Sequence, residues 1–112
     1  MAFKQCALET RLFIFIKRAR IVLDVLDIKD NKIMNVFVEK SRNVVESIID
    51  YTSQEPLSDE LLNYCYDGLT CLEKIVNYID TIHFRTILND KSVDKLHSEL
   101  IGMLDSLQEK FN

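Results

Sequence analysis

The longest amphipathic segment of the chain covers residues 58–88, SDELLNYCYDGLTCLEKIVNYIDTIHFRTIL. Apolar residues return every three or four positions along it, which is the spacing of one face of an α-helix. Six residues form that face: Leu61, Cys65, Leu69, Leu72, Val76 and Ile79. The hydroxyl of Ser58 can cap a first-turn amide, and the carboxylates of Asp59 and Glu60 suit the positive end of the helix dipole. The segment therefore predicts a helix over about 59–87.

Three further segments have apolar residues at helical spacing, over about 3–27, 32–51 and 93–110. The β-branched residues of the second would suit strands, but a strict alternation of apolar and polar residues is absent. The 112 residues include only two glycines and one proline, too few for the turns of a sheet protein. We therefore expect a single all-α domain, an antiparallel (up-down-up-down) four-helix bundle, in which Gly68 permits close approach of a neighbouring helix.

Acidic side chains are concentrated in residues 43–84, which hold eight of them and a single basic residue, Lys74. Residues 1–42 have the opposite balance, with nine Lys and Arg against five Asp and Glu. An acidic surface disfavours nucleic acid and favours a basic protein partner. The basic first helix could instead pair with the acidic third helix and neutralise the asymmetry internally.

One flank of the third helix combines carboxylates with tyrosine rings. Tyrosine is enriched at the centres of protein interfaces, because it supplies a large rigid contact with a polar tip. We predict a partner-binding surface from six residues: Asp59, Glu60, Tyr64, Asp67, Glu73 and Tyr78. The alternative is an ordinary solvated helix face.

The first helix is apolar on two sides. Opposite its core-facing residues it has a second stripe formed by Ile14, Ile21, Val25 and Ile28. A helix of this kind is either enclosed by neighbouring helices or covered by a second subunit. The stripe thus indicates a possible homodimer.

Residues able to do chemistry are few. Two Asp-x-x-His pairs, Asp80 with His83 and Asp94 with His97, could meet across one connection. Di-iron bundles also need inward carboxylates from the other two helices, which the first two helices lack. Cys65 falls on the core face, where a thiol is inert. We expect no metal, no cofactor and no enzymatic activity; a metal-binding or nucleolytic enzyme is the remaining alternative.

No segment is suited to a membrane or to export. The longest apolar run, residues 12–16, is closed at once by Lys17 and Arg18. Three cysteines, an odd number without metal-ligand spacing, favour reduced thiols in a cytoplasm. The functional hypothesis is a cytoplasmic immunity or antitoxin protein whose acidic surface neutralises a basic, nuclease-type toxin; the alternative is a self-associating structural or adaptor bundle.

Overall fold

The computed structural model describes residues 2–30, 32, 34–87 and 92–112, without the side chains of residues 2–6, 83, 84, 86 and 87. Four helices account for most of them: α1 (Ala2–Lys29), α2 (Asn35–Tyr51), α3 (Asp59–Ile87) and α4 (Val93–Lys110). The described residues contain no strand, so the predicted all-α class is confirmed. The expected turn at residues 89–91 lies outside the described residues.

One apolar core lies between the four helices. Its largest fully buried side chains include one from each helix, namely Phe15, Ile48, Leu69 and Leu104. α2 and α3 each contact all three other helices, whereas no contact joins α1 to α4 among the described residues. The α2–α3 pair therefore separates α1 from α4, and each of these two helices keeps an open outer face.

Local hydrogen bonds end α2 and begin α3. The hydroxyls of Thr52 and Ser53 donate to the carbonyl oxygens of Ile49 and Asp50, both at 2.6 Å. The Ser58 hydroxyl accepts a hydrogen bond from the Leu61 amide at 3.2 Å, as predicted for an N-cap. These bonds satisfy backbone and side-chain groups that would otherwise be left without partners at the helix ends.

Ion pairs join α1 to α3 along most of their length. The Arg11 guanidinium donates to the Asp59 carboxylate at 3.0 Å. Further along both helices, Arg18 pairs with Glu73. Near their ends, Lys29 pairs with Asp80. The basic flank of α1 thus neutralises three of the eight acidic residues between residues 43 and 84.

Tyr66 is the centre of the α1–α3 contact. Its hydroxyl donates to the Arg11 carbonyl oxygen at 2.6 Å, and its ring packs edge-on against Phe15 with centroids 5.4 Å apart. The guanidinium carbons of Arg11 and Arg18 lie 5.7 and 5.6 Å from the ring centroid, within cation–π range. One side chain of α3 therefore holds two turns of α1.

Polar contacts also join α2 to α4. Lys40 donates to the Asp105 carboxylate at 2.8 Å, and the Gln108 amide nitrogen donates to the Ser47 hydroxyl at 2.7 Å. Arg42 connects α2 to α1 by donating to Asp27 at 3.0 Å. Each outer helix is therefore tied to the central α2–α3 pair by side-chain hydrogen bonds as well as by the core.

The two glycines give a matched test of packing. A Cβ atom on Gly68 would lie 2.6 Å from the Phe111 ring and 3.2 Å from Ile48, whereas one on Gly102 meets nothing within 4 Å. We expect Gly68→Ala to lower the free energy of unfolding by about 1–3 kcal/mol, because the ring must move. Gly102→Ala should raise it by about 0.5–1 kcal/mol through helix propensity. Urea unfolding followed by circular dichroism measures both, and equal effects at the two positions would contradict this packing.

Two serines of α2 give a second matched pair. The Ser41 hydroxyl is fully buried and has no hydrogen-bond partner in the described part of the chain, while Ser47 is bonded to Gln108. We expect Ser41→Ala to raise the free energy of unfolding by about 1 kcal/mol, because an unsatisfied polar group leaves the core. Ser47→Ala should lower it by about 0.5–1 kcal/mol. A loss of stability in Ser41→Ala would show that its hydroxyl has a partner.

Candidate protein-binding site

The acidic residues between residues 43 and 84 fall into two groups. Asp59, Glu73 and Asp80 pair with α1 and are occupied within the fold. The other five are exposed and form no ion pair with any described residue: Glu46, Asp50, Glu55, Glu60 and Asp67. Only this second group carries charge that no described residue of the chain neutralises.

A cluster of three aromatic rings brings together the segments that carry the free acids. The ring of Tyr64, near the start of α3, lies 5.9 Å from that of Tyr51 at the end of α2. It lies 4.9 Å from the ring of Phe111, just after α4. The rings of Tyr51 and Phe111 are 5.3 Å apart and perpendicular. The ends of α2 and α4 and the start of α3 therefore meet at these rings.

The free acids surround this cluster along the chain. Asp50 precedes Tyr51, Glu60 lies one helical turn before Tyr64, and Asp67 lies about one turn after it. We use the name acidic end for the last turns of α2, the connection that follows and the first turns of α3, which hold Glu46, Asp50, Glu55, Glu60 and Asp67 next to the three-ring cluster. Tyr64 is 37% exposed, so part of its ring is available for contact while the rest supports the fold.

Two depressions border the acidic end. A cavity of about 190 Å³ opens beside Tyr64 and Asp67, and its lining also includes Gly68, Leu107, Phe111 and the exposed Lys110. A groove of about 360 Å³ runs between α2 and α4. Carboxylates and polar side chains dominate its lining, which includes Glu46, Asp50, Asn43 and Gln108 together with Asp105 and its ion-pair partner Lys40. Both depressions can receive side chains of a partner, and the groove favours cationic ones.

The six predicted partner-binding residues do not form one surface. Glu60, Tyr64 and Asp67 lie together at the acidic end. Asp59 and Glu73 lie on the flank of α3 that faces α1, where Arg11 and Arg18 neutralise them. Tyr78 is 52% exposed but lies 14 residues, or about 21 Å of helix, beyond Tyr64.

The outer face of α3 also changes sign along its length. Lys74 and Arg85 are exposed beyond Asp67 and form no ion pair with the described residues. Among residues 43–84, the carboxylates without an ion pair in the described chain therefore lie on α2, on the connection after it and on the first turns of α3.

Residues of the acidic end outside α3 were not among the predicted set. The sequence pattern places Glu46 and Asp50 on a solvent face, Tyr51 at the predicted end of the second helix and Phe111 on the predicted inner face of the fourth. The order of the helices could have indicated these residues. In the expected up-down-up-down path, the end of α2, the start of α3 and the end of α4 would lie at the same end of the bundle.

Groups suited to catalysis or metal binding are sparse. No cluster of three or more His, Cys, Asp or Glu side chains that could hold a metal ion occurs among the described residues. The side chain of His83 lies outside them, and His97 packs edge-on against Phe37 with centroids 4.8 Å apart. Burial raises the pKa of the Cys65 thiol to about 11, so this thiol stays protonated and unreactive at neutral pH.

Within the described ranges, no helix has the length and apolarity needed to cross a membrane. No protein-family model, curated protein or solved structure matches the chain. The function is therefore inferred from the surface chemistry of the chain alone.

Proposed function

We propose that this protein is a non-catalytic binding module that captures a basic protein through its acidic end. The single observation that carries the proposal is the group of five exposed carboxylates, without ion pairs in the described chain, on the segments that meet at the ring of Tyr64. A concentrated field of one sign attracts an oppositely charged surface and speeds its association.

The scaffold that presents this surface is an up-down-up-down bundle. Residue numbers rise in the same order on α1 and α3 through their three ion pairs, which are Arg11–Asp59, Arg18–Glu73 and Lys29–Asp80. This order supports a common direction for the two helices. The pairs Lys40–Asp105 and Ser47–Gln108 give the same support for α2 and α4. Successive helices then alternate in direction.

Tyr64 suits the centre of the interface. Its ring is anchored against Tyr51 and Phe111, so little conformational freedom is lost when a partner covers the exposed edge. The flanking carboxylates can form charge-assisted hydrogen bonds to arginine or lysine side chains of the partner. A rigid aromatic anchor inside a charged surround is typical of tight protein interfaces.

The most concrete form of the proposal is an immunity or antitoxin protein, placed in the cytoplasm. A nuclease toxin must present lysine and arginine side chains to the phosphates of its substrate, and these are the groups that an acidic surface binds. Nucleic acid itself is a poor ligand for this chain. Arg11, Arg18 and Lys29, three of its basic residues, are already paired with α3.

Charge reversal at the acidic end tests the proposal. Capture on the immobilised protein from the organism that carries the gene, followed by mass spectrometry, should yield a basic, nuclease-type protein that salt releases. The double variant Glu60→Lys/Asp67→Lys should weaken capture of that protein at least about tenfold and reduce its salt dependence, because attraction is replaced by repulsion. Both residues are exposed and form no ion pair with a described residue, so the protein should still fold. A cation at position 60, in the first turn of α3, should cost about 0.3–1 kcal/mol against the helix dipole.

A control of equal charge change is Glu39→Lys/Glu99→Lys, at two exposed carboxylates of α2 and α4 outside the acidic end. It should leave capture within about twofold of the unmodified protein, because screening limits the effect of distant charges. An equal loss of capture in both double variants would show that the effect comes from net charge alone. Undiminished capture by Glu60→Lys/Asp67→Lys would refute the acidic end as the binding surface.

A further inference from the structure

The outer face of α1 carries exposed isoleucines at intervals of seven residues. Ile14, Ile21 and Ile28 are 46, 55 and 85% exposed, and nearby Phe13 is 69% exposed. A spacing of seven keeps side chains along nearly one line of a helix. The fourth predicted member of this stripe, Val25, is half-buried and packs against the core. The outer stripe of α1 is therefore Ile14, Ile21 and Ile28.

Nothing within the described chain covers this stripe. α1 contacts α2 and α3 through its opposite side, and no contact joins it to α4 among the described residues. A seven-residue apolar repeat supplies one of the two apolar positions per heptad that a seam between two helices uses.

Two charged residues lie between the isoleucines on the same face. Lys17 falls between Ile14 and Ile21, and Asp24 falls between Ile21 and Ile28. Both are exposed, and neither forms an ion pair with any described residue. Along the face the order is therefore apolar, positive, apolar, negative, apolar.

This order is complementary to its own reverse. If two copies of α1 pack antiparallel with Ile21 beside Ile21, Ile14 of each copy lies opposite Ile28 of the other. Lys17 of each copy then lies within one residue, about 1.5 Å along the helix axis, of the level of Asp24 of the other copy. Parallel packing would instead set Lys17 against Lys17 and Asp24 against Asp24, which is unfavourable.

We infer that the outer stripe of α1 binds a second copy of this chain, in an antiparallel pair of α1 helices related by a twofold axis at Ile21. The interface is isologous, so each ion pair forms twice. The stripe is assigned to a second copy and not to a basic partner, because the positive and negative residues of this face are complementary to those of the same face in antiparallel orientation. The acidic end lies on other helices and is not used by the pair.

Sedimentation velocity over a range of concentrations tests the inference. The unmodified protein, of 13.1 kDa per chain, should associate to twice that mass. Ile21→Asp should remain monomeric and folded, because this exposed side chain contributes little to the core. Val36→Asp is the matched control at another exposed apolar residue, on α2, and should still dimerise.

A charge exchange reports the direction of packing. Lys17→Asp and Asp24→Lys should each weaken the dimer about tenfold, because each places like charges opposite one another in both symmetry-related contacts. The combined variant Lys17→Asp/Asp24→Lys should recover most of the affinity. A monomer at every concentration, equal loss in Ile21→Asp and Val36→Asp, or no recovery in the exchanged variant would each overturn the antiparallel pair.

Discussion

The placement of Tyr66 against α1 is the contact on which the rest of the structure depends. Its hydroxyl bonds to the backbone of Arg11, its ring packs on Phe15, and two guanidinium groups lie over the same ring. These contacts fix the rotation of α1 about its own axis. Arg11 and Arg18 are thereby held where they reach the carboxylates of α3, and Phe15 is held in the core.

The rotation of α1 about its own axis determines both the acidic end and the outer stripe of α1. One flank of α1 neutralises Asp59, Glu73 and Asp80, so the acidic residues of segment 43–84 that keep no ion pair in the described chain are those of the acidic end. The adjoining outer face of α1, on the side away from the core, carries its exposed isoleucines. Exposed ion pairs contribute little to stability individually, and here their larger effect is to determine which charges remain available to a partner.

Much of the fold was predictable because it depends on local pattern. Helical spacing predicted all four helices, Ser58 was identified as an N-cap, and Gly68 was expected at a close approach, which the Phe111 ring makes. The candidate site was predictable only in part. Glu60, Tyr64 and Asp67 were recognised, but the pairing of Asp59 and Glu73 with α1 was left open, because their partners lie about fifty residues away in sequence.

The role of Tyr66 and the position of α1 relative to α4 were not predictable for a similar reason. Both depend on which helices become neighbours, and amphipathic periodicity gives the width of an apolar face but not the helix that covers it. Val25 illustrates this limit: its spacing matched the exposed isoleucines, yet it is partly buried and packs against the core. For a residue at the edge of an apolar stripe, periodicity does not decide whether the side chain is buried or exposed.

The most direct test of this account is a reciprocal charge exchange between α1 and α3, measured as the free energy of urea unfolding. Reversing Arg11, Arg18 and Lys29 to Glu should cost about 1–2 kcal/mol, because three attractive pairs become repulsive at a partly exposed interface. Adding the reversal of Asp59, Glu73 and Asp80 to Lys should recover part of that loss, since the same pairs re-form with opposite sign. The cation–π contacts of Arg11 and Arg18 with Tyr66 are not restored by this exchange. If the first set of substitutions costs nothing, or if the second set adds to the loss instead of recovering it, α1 does not pack on α3 in this register.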